Sequence, residues 1–160
     1  YIYENEINMW FSNMLGTECF LLRQIKNNRF MKDDEDNNLD KSIGFAKDGQ
    51  YLLISQESIN DLNNKLKINI DYNQFRPNFV ISDINKYEED KLEIIIFNNI
   101  KFKNIKRCRR CKVICINKET GEINNEPLLT LSTYRKYNNK IFFGILLYCD
   151  EIDKIISIDN

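Results

Sequence analysis

Short apolar runs broken by turn residues set the first limit on how this chain can fold. The runs are 19–25 (CFLLRQI), 51–55 (YLLIS), 79–82 (FVIS), 92–97 and 100–105 around Asn98-Asn99, 112–116 (KVICI) and 141–148 (IFFGILLY). They have strand length and are rich in Ile, Val, Phe and Tyr, whose branched or flat side chains suit a pleated surface. Asn98-Asn99 tolerates the positive φ of a tight hairpin turn, and Glu119–Glu122 closes the 112–116 run with a turn. Helical signals are fewer. Ile7, Trp10, Phe11, Met14 and Leu15 recur at helical spacing and Gly16 follows as a stop. Ser58, with Asp61 three residues on, predicts an N-cap for a helix whose apolar stripe is Ile59, Leu62 and Leu66. Pro127 opens a short helix to Tyr134. The expectation is a mainly β, barrel-like domain with a few short helices, occupying residues 1–160 as one domain. Residues 26–42, polar and acidic (MKDDEDNNLDKS), read as a flexible surface insertion. Tyr1-Ile2-Tyr3 reads as a cut inside a longer protein.

Composition excludes several chemistries. There is no histidine, which removes Ser-His-Asp and Cys-His catalysis and every imidazole-dependent zinc site. No GxGxxG or GxxxxGK[ST] loop occurs. The 23 basic and 24 acidic residues give a net charge of −1, so no global cationic field draws the chain to nucleic acid or a membrane surface. No apolar run approaches a membrane span. Asn and Ile are abundant and Ala46 is the single alanine, a bias read as codon drift. Asparagine on a surface therefore carries little functional weight.

Two constellations carry chemistry. Cys108 and Cys111 lie in IKRCRRCK among Lys106, Arg107, Arg109, Arg110 and Lys112. Positive neighbours stabilise a thiolate, so at least one thiol is expected below its free pKa of about 8.5. The spacing leaves open a zinc half-site, a redox dithiol, a reactive thiol in an anion pocket, and a basic surface loop with idle thiols. Cys19, Cys115 and Cys149 read as small buried hydrophobes. All five thiols are expected reduced, since nothing marks the chain as secreted, and a cytoplasmic location goes with that. The second constellation is Phe75-Arg76-Pro77-Asn78, where Pro77 is expected to hold Arg76 extended and present a guanidinium and a carboxamide. Glu88-Glu89-Asp90 reads as a solvated turn.

In order along the chain, WFSNMLG (10–16), LLISQESINDLN (52–63), FRPNFVIS (75–82), YEEDKLEIIIFNNIKFK (87–103), CRRC (108–111), ETGE (119–122), NEPLLTLSTYRK (125–136) and IFFGILLY (141–148) resemble the MOSC domain. This is the C-terminal module of eukaryotic molybdenum cofactor sulfurases, also found in mitochondrial amidoxime-reducing enzymes. Leu92 replaces the family's usual Trp, Arg109 its small polar residue, and Ile145 the Gln that often follows the final Gly.

The resemblance implies a site. Cys111 would be the molybdenum-site thiol and the catalytic residue. Arg76, Asn78, Arg109 and Arg110 would hold the molybdopterin and its phosphate, and Ser55 would line the same site. It implies an N-terminal, pyridoxal-phosphate-dependent cysteine-desulfurase-like domain of the same chain, whose persulfide supplies sulfur for molybdenum. Xanthine dehydrogenase and aldehyde oxidase would be the acceptors, with no nucleic acid or membrane involved. Other readings are a molybdenum reductase of N-hydroxylated substrates and a cofactor-free binding module.

Overall fold

A computed structural model describes residues 3–23, 25, 29–32, 38–43, 48–151 and 154–157. The elements are α1 (Asn5–Leu15), β1 (Arg29–Lys32), β2 (Asn38–Ile43), β3 (Tyr51–Ser55), α2 (Gln56–Asn63), β4 (Phe79–Ile81), β5 (Ile94–Phe97), β6 (Ile100–Arg110), α3 (Leu128–Tyr134), β7 (Lys136–Tyr137) and β8 (Lys140–Tyr148). Three single 3₁₀ turns, Tyr72–Phe75, Glu88–Lys91 and Lys112–Cys115, complete the path.

Six strands form one sheet in the order β4-β3-β8-β6-β5, with β7 hung on β8. The β3–β4 pair is parallel and the others are antiparallel. The sheet is a curled half-barrel whose edges, β4 and β5, are not paired with each other, and the domain is mainly β as its sequence predicts. Among the described residues no helix is long and apolar enough to cross a membrane.

Strand β8 is buried on both faces because two apolar layers meet at it. Phe143 and Leu146 join Leu52, Ile54, Ile59, Leu62, Phe75, Ile114 and Leu131 on one side. Ile145 and Leu147 join Leu53, Ile100 and Phe102 on the other. That second side is lined by aromatic contacts, with Phe79 lying 4.9 Å from Phe97 and 5.2 Å from Phe102 between ring centroids. The alternation along β8 is interrupted at Gly144, whose φ of 72° lies in the left-handed region. A Cβ there would come within 2.6 Å of both the Leu53 carbonyl oxygen and Ile54 Cγ2, so the position requires glycine. Partner positions step from Arg107↔Ile145 to Arg109↔Phe142 across it, which makes Phe143-Gly144 a β-bulge opposite Cys108.

Both asparagine pairs make hairpin turns. Asn98 and Asn99 take φ of 46° and 65°, and Asn138 and Asn139 take 44° and 58°. The second turn, joining β7 to β8, carries the same Asn-Asn signal as the first and could have been found from it.

Several expectations are corrected. Residues 19–23 and 25 do not form the buried strand expected over 19–25, Gln24 lying outside the described residues. Phe20, Leu22 and Ile25 are more than half exposed. The backbone there is satisfied by side chains of α1: the Cys19 amide donates to Ser12 Oγ at 3.0 Å and the Leu21 amide to Asn8 Oδ1 at 2.8 Å. An apolar run alone does not specify a ladder partner. The acidic segment 26–42 holds β1 and most of β2, an antiparallel ribbon with Arg29 opposite Ile43. Residues 26–28 and 33–37 lie outside the described residues. In place of a strand over 112–116, Lys112–Cys115 form a 3₁₀ turn and Ile116 makes a single antiparallel bridge to Ile123. In place of a neighbouring strand, Gln74 Nε2 donates to the carbonyls of Ile114 and Ile116 at 2.7 and 2.8 Å. The N-cap of α2 is Ser55, whose Oγ accepts from the Ser58 amide.

Candidate functional site

Alternation along the last turn of β6 decides which charged side chains can meet. Cys108 packs on the layer that holds Phe75 and Phe143. Arg110, two residues on, lies over the Phe75 ring with its guanidinium carbon 5.2 Å from the ring centre. Arg107 points to the other face, over Phe142 at 4.5 Å and Tyr137 at 5.5 Å. Arg109 shares that face by strand parity, so the two arginines between the cysteines diverge.

Arg110 is committed to the backbone. Its Nε and Nη2 donate to the Phe143 carbonyl at 2.9 and 2.7 Å, and Nη1 donates to the Phe75 carbonyl at 3.4 Å. Burial lowers its pKa, while Cys108 and Cys111 act in the opposite direction.

The two thiols differ sharply. Burial pushes the Cys108 thiol above its usual value, and the neighbouring Arg110 charge only partly offsets this. The sequence expectation of a depressed thiol is therefore reversed at Cys108, because desolvation of a half-buried thiolate outweighs the cation beside it. Cys111 lies just past the strand end, is exposed, and opens the 3₁₀ turn. All five cysteines are free thiols. Among the described residues no three Cys, Asp or Glu side chains converge as a metal site would need.

The Arg76 turn sits against this strand end. Arg110 reaches the carbonyl of Phe75, and Gln74 holds the carbonyls of Ile114 and Ile116, so the turns carrying Arg76 and Cys111 are tied twice. Arg76 is not extended as expected. It takes the left-handed conformation, φ 56° and ψ 51°, where its amide donates to the Asn73 carbonyl. Pro77 disfavours the right-handed helical well at Arg76, and the 3₁₀ turn before it requires a reversal. The Arg76 side chain is exposed and has no hydrogen-bond or ion-pair partner among the described residues. Such a strained, solvent-facing cation is the kind of outlier found at ligand sites.

Asn78 clasps β3 with both backbone and side chain. Its amide donates to the Leu52 carbonyl and its Oδ1 accepts from the Leu52 amide, both at 2.8 Å. The residue is exposed, and its Nδ2 makes no hydrogen bond among the described residues. Ser55 is placed differently. It is fully buried, with Oγ 2.8 Å from Ser58 Oγ and 3.0 Å from Glu89 Oε2.

Glu88-Glu89-Asp90 is not a solvated turn throughout. Glu89 is fully buried, with Ser58 Oγ donating to Oε1 at 2.6 Å. Asp90 pairs with Arg135 at 2.6 Å, and Arg135 in turn donates to the Phe142 carbonyl. Sequence reasoning also missed Gln74 as a strap between the two turns. The serine pair at 55 and 58 was the available signal for Glu89; nothing local marked Gln74.

Comparison with known proteins places this geometry. The MOSC domain family model matches residues 40–158. A molybdenum cofactor sulfurase of Arabidopsis thaliana is 39% identical over 162 residues, covering 90% of this chain and 20% of the relative. One from Solanum lycopersicum is 37% identical, covering 91% and 20%. Mitochondrial amidoxime reducing component 2 of Bos taurus is 30% identical, covering 94% and 49%. The chain thus spans about a fifth of the sulfurases' length. Matched over most of its residues, it belongs to the MOSC domain family.

Proposed function

We propose that this domain binds the molybdenum cofactor as part of a molybdenum cofactor sulfurase. The observation that carries the reading is the exposed Cys111 thiol tied through two straps to the turn of the uncommitted Arg76. The donor set fits the group. A thiolate is a soft ligand suited to molybdenum, a free guanidinium suits a phosphate dianion, and the spare Nδ2 of Asn78 can donate to the edge of a pterin. When bound, the cofactor supplies a metal centre that a thiolate can ligate and that accepts sulfur.

Within this reading Cys111 is the catalytic residue and faces the metal. Arg76 and Asn78 hold the phosphate and pterin. Ser55, the buried N-cap of α2, supports the segment from within. Arg109, on the other face of β6 by strand parity, contributes charge. The sulfur originates as a persulfide on a pyridoxal-phosphate-dependent, cysteine-desulfurase-like domain of the same protein and is destined for xanthine dehydrogenase and aldehyde oxidase in the cytoplasm. Higher identity to the sulfurases than to the amidoxime reducing component supports this choice over reduction of N-hydroxylated substrates.

The test is Cys111→Ser in the full-length protein. The sulfido-cofactor yield should be abolished while the fold is retained, and normal yield contradicts the assignment. Cys108→Ser should be milder; an equal loss points to a dithiol mechanism instead.

A further inference from the structure

Resting on the reading that Arg76 and Cys111 contact the cofactor, we propose that Arg110 is a positioning residue. Its guanidinium joins the Phe143 carbonyl to the Phe75 carbonyl and thereby fixes the two turns from which Arg76 and Cys111 project.

The demand for this strut arises at the bulge. Phe143-Gly144 falls between the ladder pairs Arg107↔Ile145 and Arg109↔Phe142. A bulge disrupts the ladder locally, and a buried carbonyl left out of it needs another donor. Phe143 is fully buried, and Arg110 supplies two N–H groups to its carbonyl at 2.9 and 2.7 Å. The adjacent Phe142 carbonyl is met in the same way by Arg135 Nε at 3.1 Å. The third contact of Arg110, from Nη1 to Phe75 at 3.4 Å, lands on the residue immediately before Arg76. Cys111 follows Arg110 directly in the chain. A single planar group is therefore clamped between β8 and the Arg76 turn, with the Cys111 turn continuing from its own backbone.

The geometry separates two arginines of opposite use. Arg76 is exposed and has no partner among the described residues, whereas Arg110 already serves two main-chain acceptors over an aromatic ring. A guanidinium can do this because its fork is rigid and planar; a lysine ammonium has the charge but is a point donor on a flexible stem.

That difference supplies the experiment. Arg110→Lys, Arg110→Gln and Arg76→Ala are made in the full-length protein and expressed in a cofactor-producing host. Pterin and molybdenum content are measured, and amide hydrogen exchange is followed on the cofactor-free proteins. Both Arg110 variants should lose about tenfold or more of the bound pterin, the scale seen when outer-shell partners are removed. Both should speed exchange at the Arg76 and Ile114 amides while leaving β3 and α2 protected. Pterin restored to the wild-type level by Arg110→Lys overturns the proposal, because charge alone would then suffice. Exchange raised uniformly across the domain also overturns it, since Arg110 would be general support for the fold. Wild-type pterin content in Arg76→Ala would instead defeat the functional reading, and the strut would then stand or fall on the exchange pattern.

Discussion

The two sides of the CRRC strand end are built in opposite ways. On one side Cys108, Arg110, Phe143 and Gly144 are packed and hydrogen-bonded to main chain. On the other, Arg76, Asn78 and Cys111 face solvent, with Arg76 lacking a partner among the described residues. Residues three apart in sequence, Cys108 and Cys111, fall on different sides of that division. Chemical character here follows the surroundings of a residue more than its type or its neighbours in the chain.

The largest effect that sharpens the contrast is expected at the packed side. Gly144→Ala places a methyl against the Leu53 carbonyl at a positive φ. It should cost about 3 kcal/mol or more, read as a fall in denaturation midpoint or loss of soluble protein. Next comes Glu89→Ala, which removes the buried carboxylate acceptor shared by the Ser55 and Ser58 hydroxyls. A loss of about 2–3 kcal/mol is expected in chemical denaturation.

The thiols test the division by rate. At pH 8, alkylation followed by mass spectrometry should label Cys111 before Cys108. Cys108 is less accessible, and burial holds its thiol above the usual pKa, so its thiolate fraction at that pH is reduced. Faster labelling of Cys108 would break the contrast.

The smallest effect concerns Asp61, which receives hydrogen bonds from Lys65, Lys86 and the Tyr87 hydroxyl. Burial works to raise its pKa, yet those three donors together hold it well below the usual carboxylate range. A depressed folded pKa gives stability that is complete above the unfolded value near 3.9 and is lost as pH falls toward the folded one. Asp61→Asn should therefore cost about 1 kcal/mol at neutral pH, Lys86 being largely exposed, and the gap from wild type should narrow below about pH 4.

How much of this was legible in the sequence depended on whether the deciding partner was local. The β5–β6 hairpin, β3, β8 and α3 were readable because Asn98-Asn99, the apolar runs and Pro127 act within a few residues. The strand expected over 112–116 failed because Gln74, some forty residues earlier in the chain, takes its carbonyls. The extended Arg76 failed because Pro77 biases only one part of the conformational map, while the preceding 3₁₀ turn sets the rest. Likewise a depressed thiol does not hold at Cys108, where burial is a larger influence than the basic stretch. Of the candidate site, Cys111, Arg76 and Asn78 were visible as motifs. That Arg109 and Arg110 diverge follows from strand parity, but only once the 100–105 strand is known to continue to Arg110.

In the proposed function, the solvent-facing side of this division holds the molybdenum cofactor. The most direct measurement is pterin and molybdenum content of the full-length protein from a cofactor-producing host, beside Arg76→Ala and Cys111→Ser. Near-stoichiometric pterin with molybdenum, with the pterin lost in Arg76→Ala, is the predicted result. Well-folded protein that carries no pterin, or that carries it equally with and without Arg76, would contradict the account.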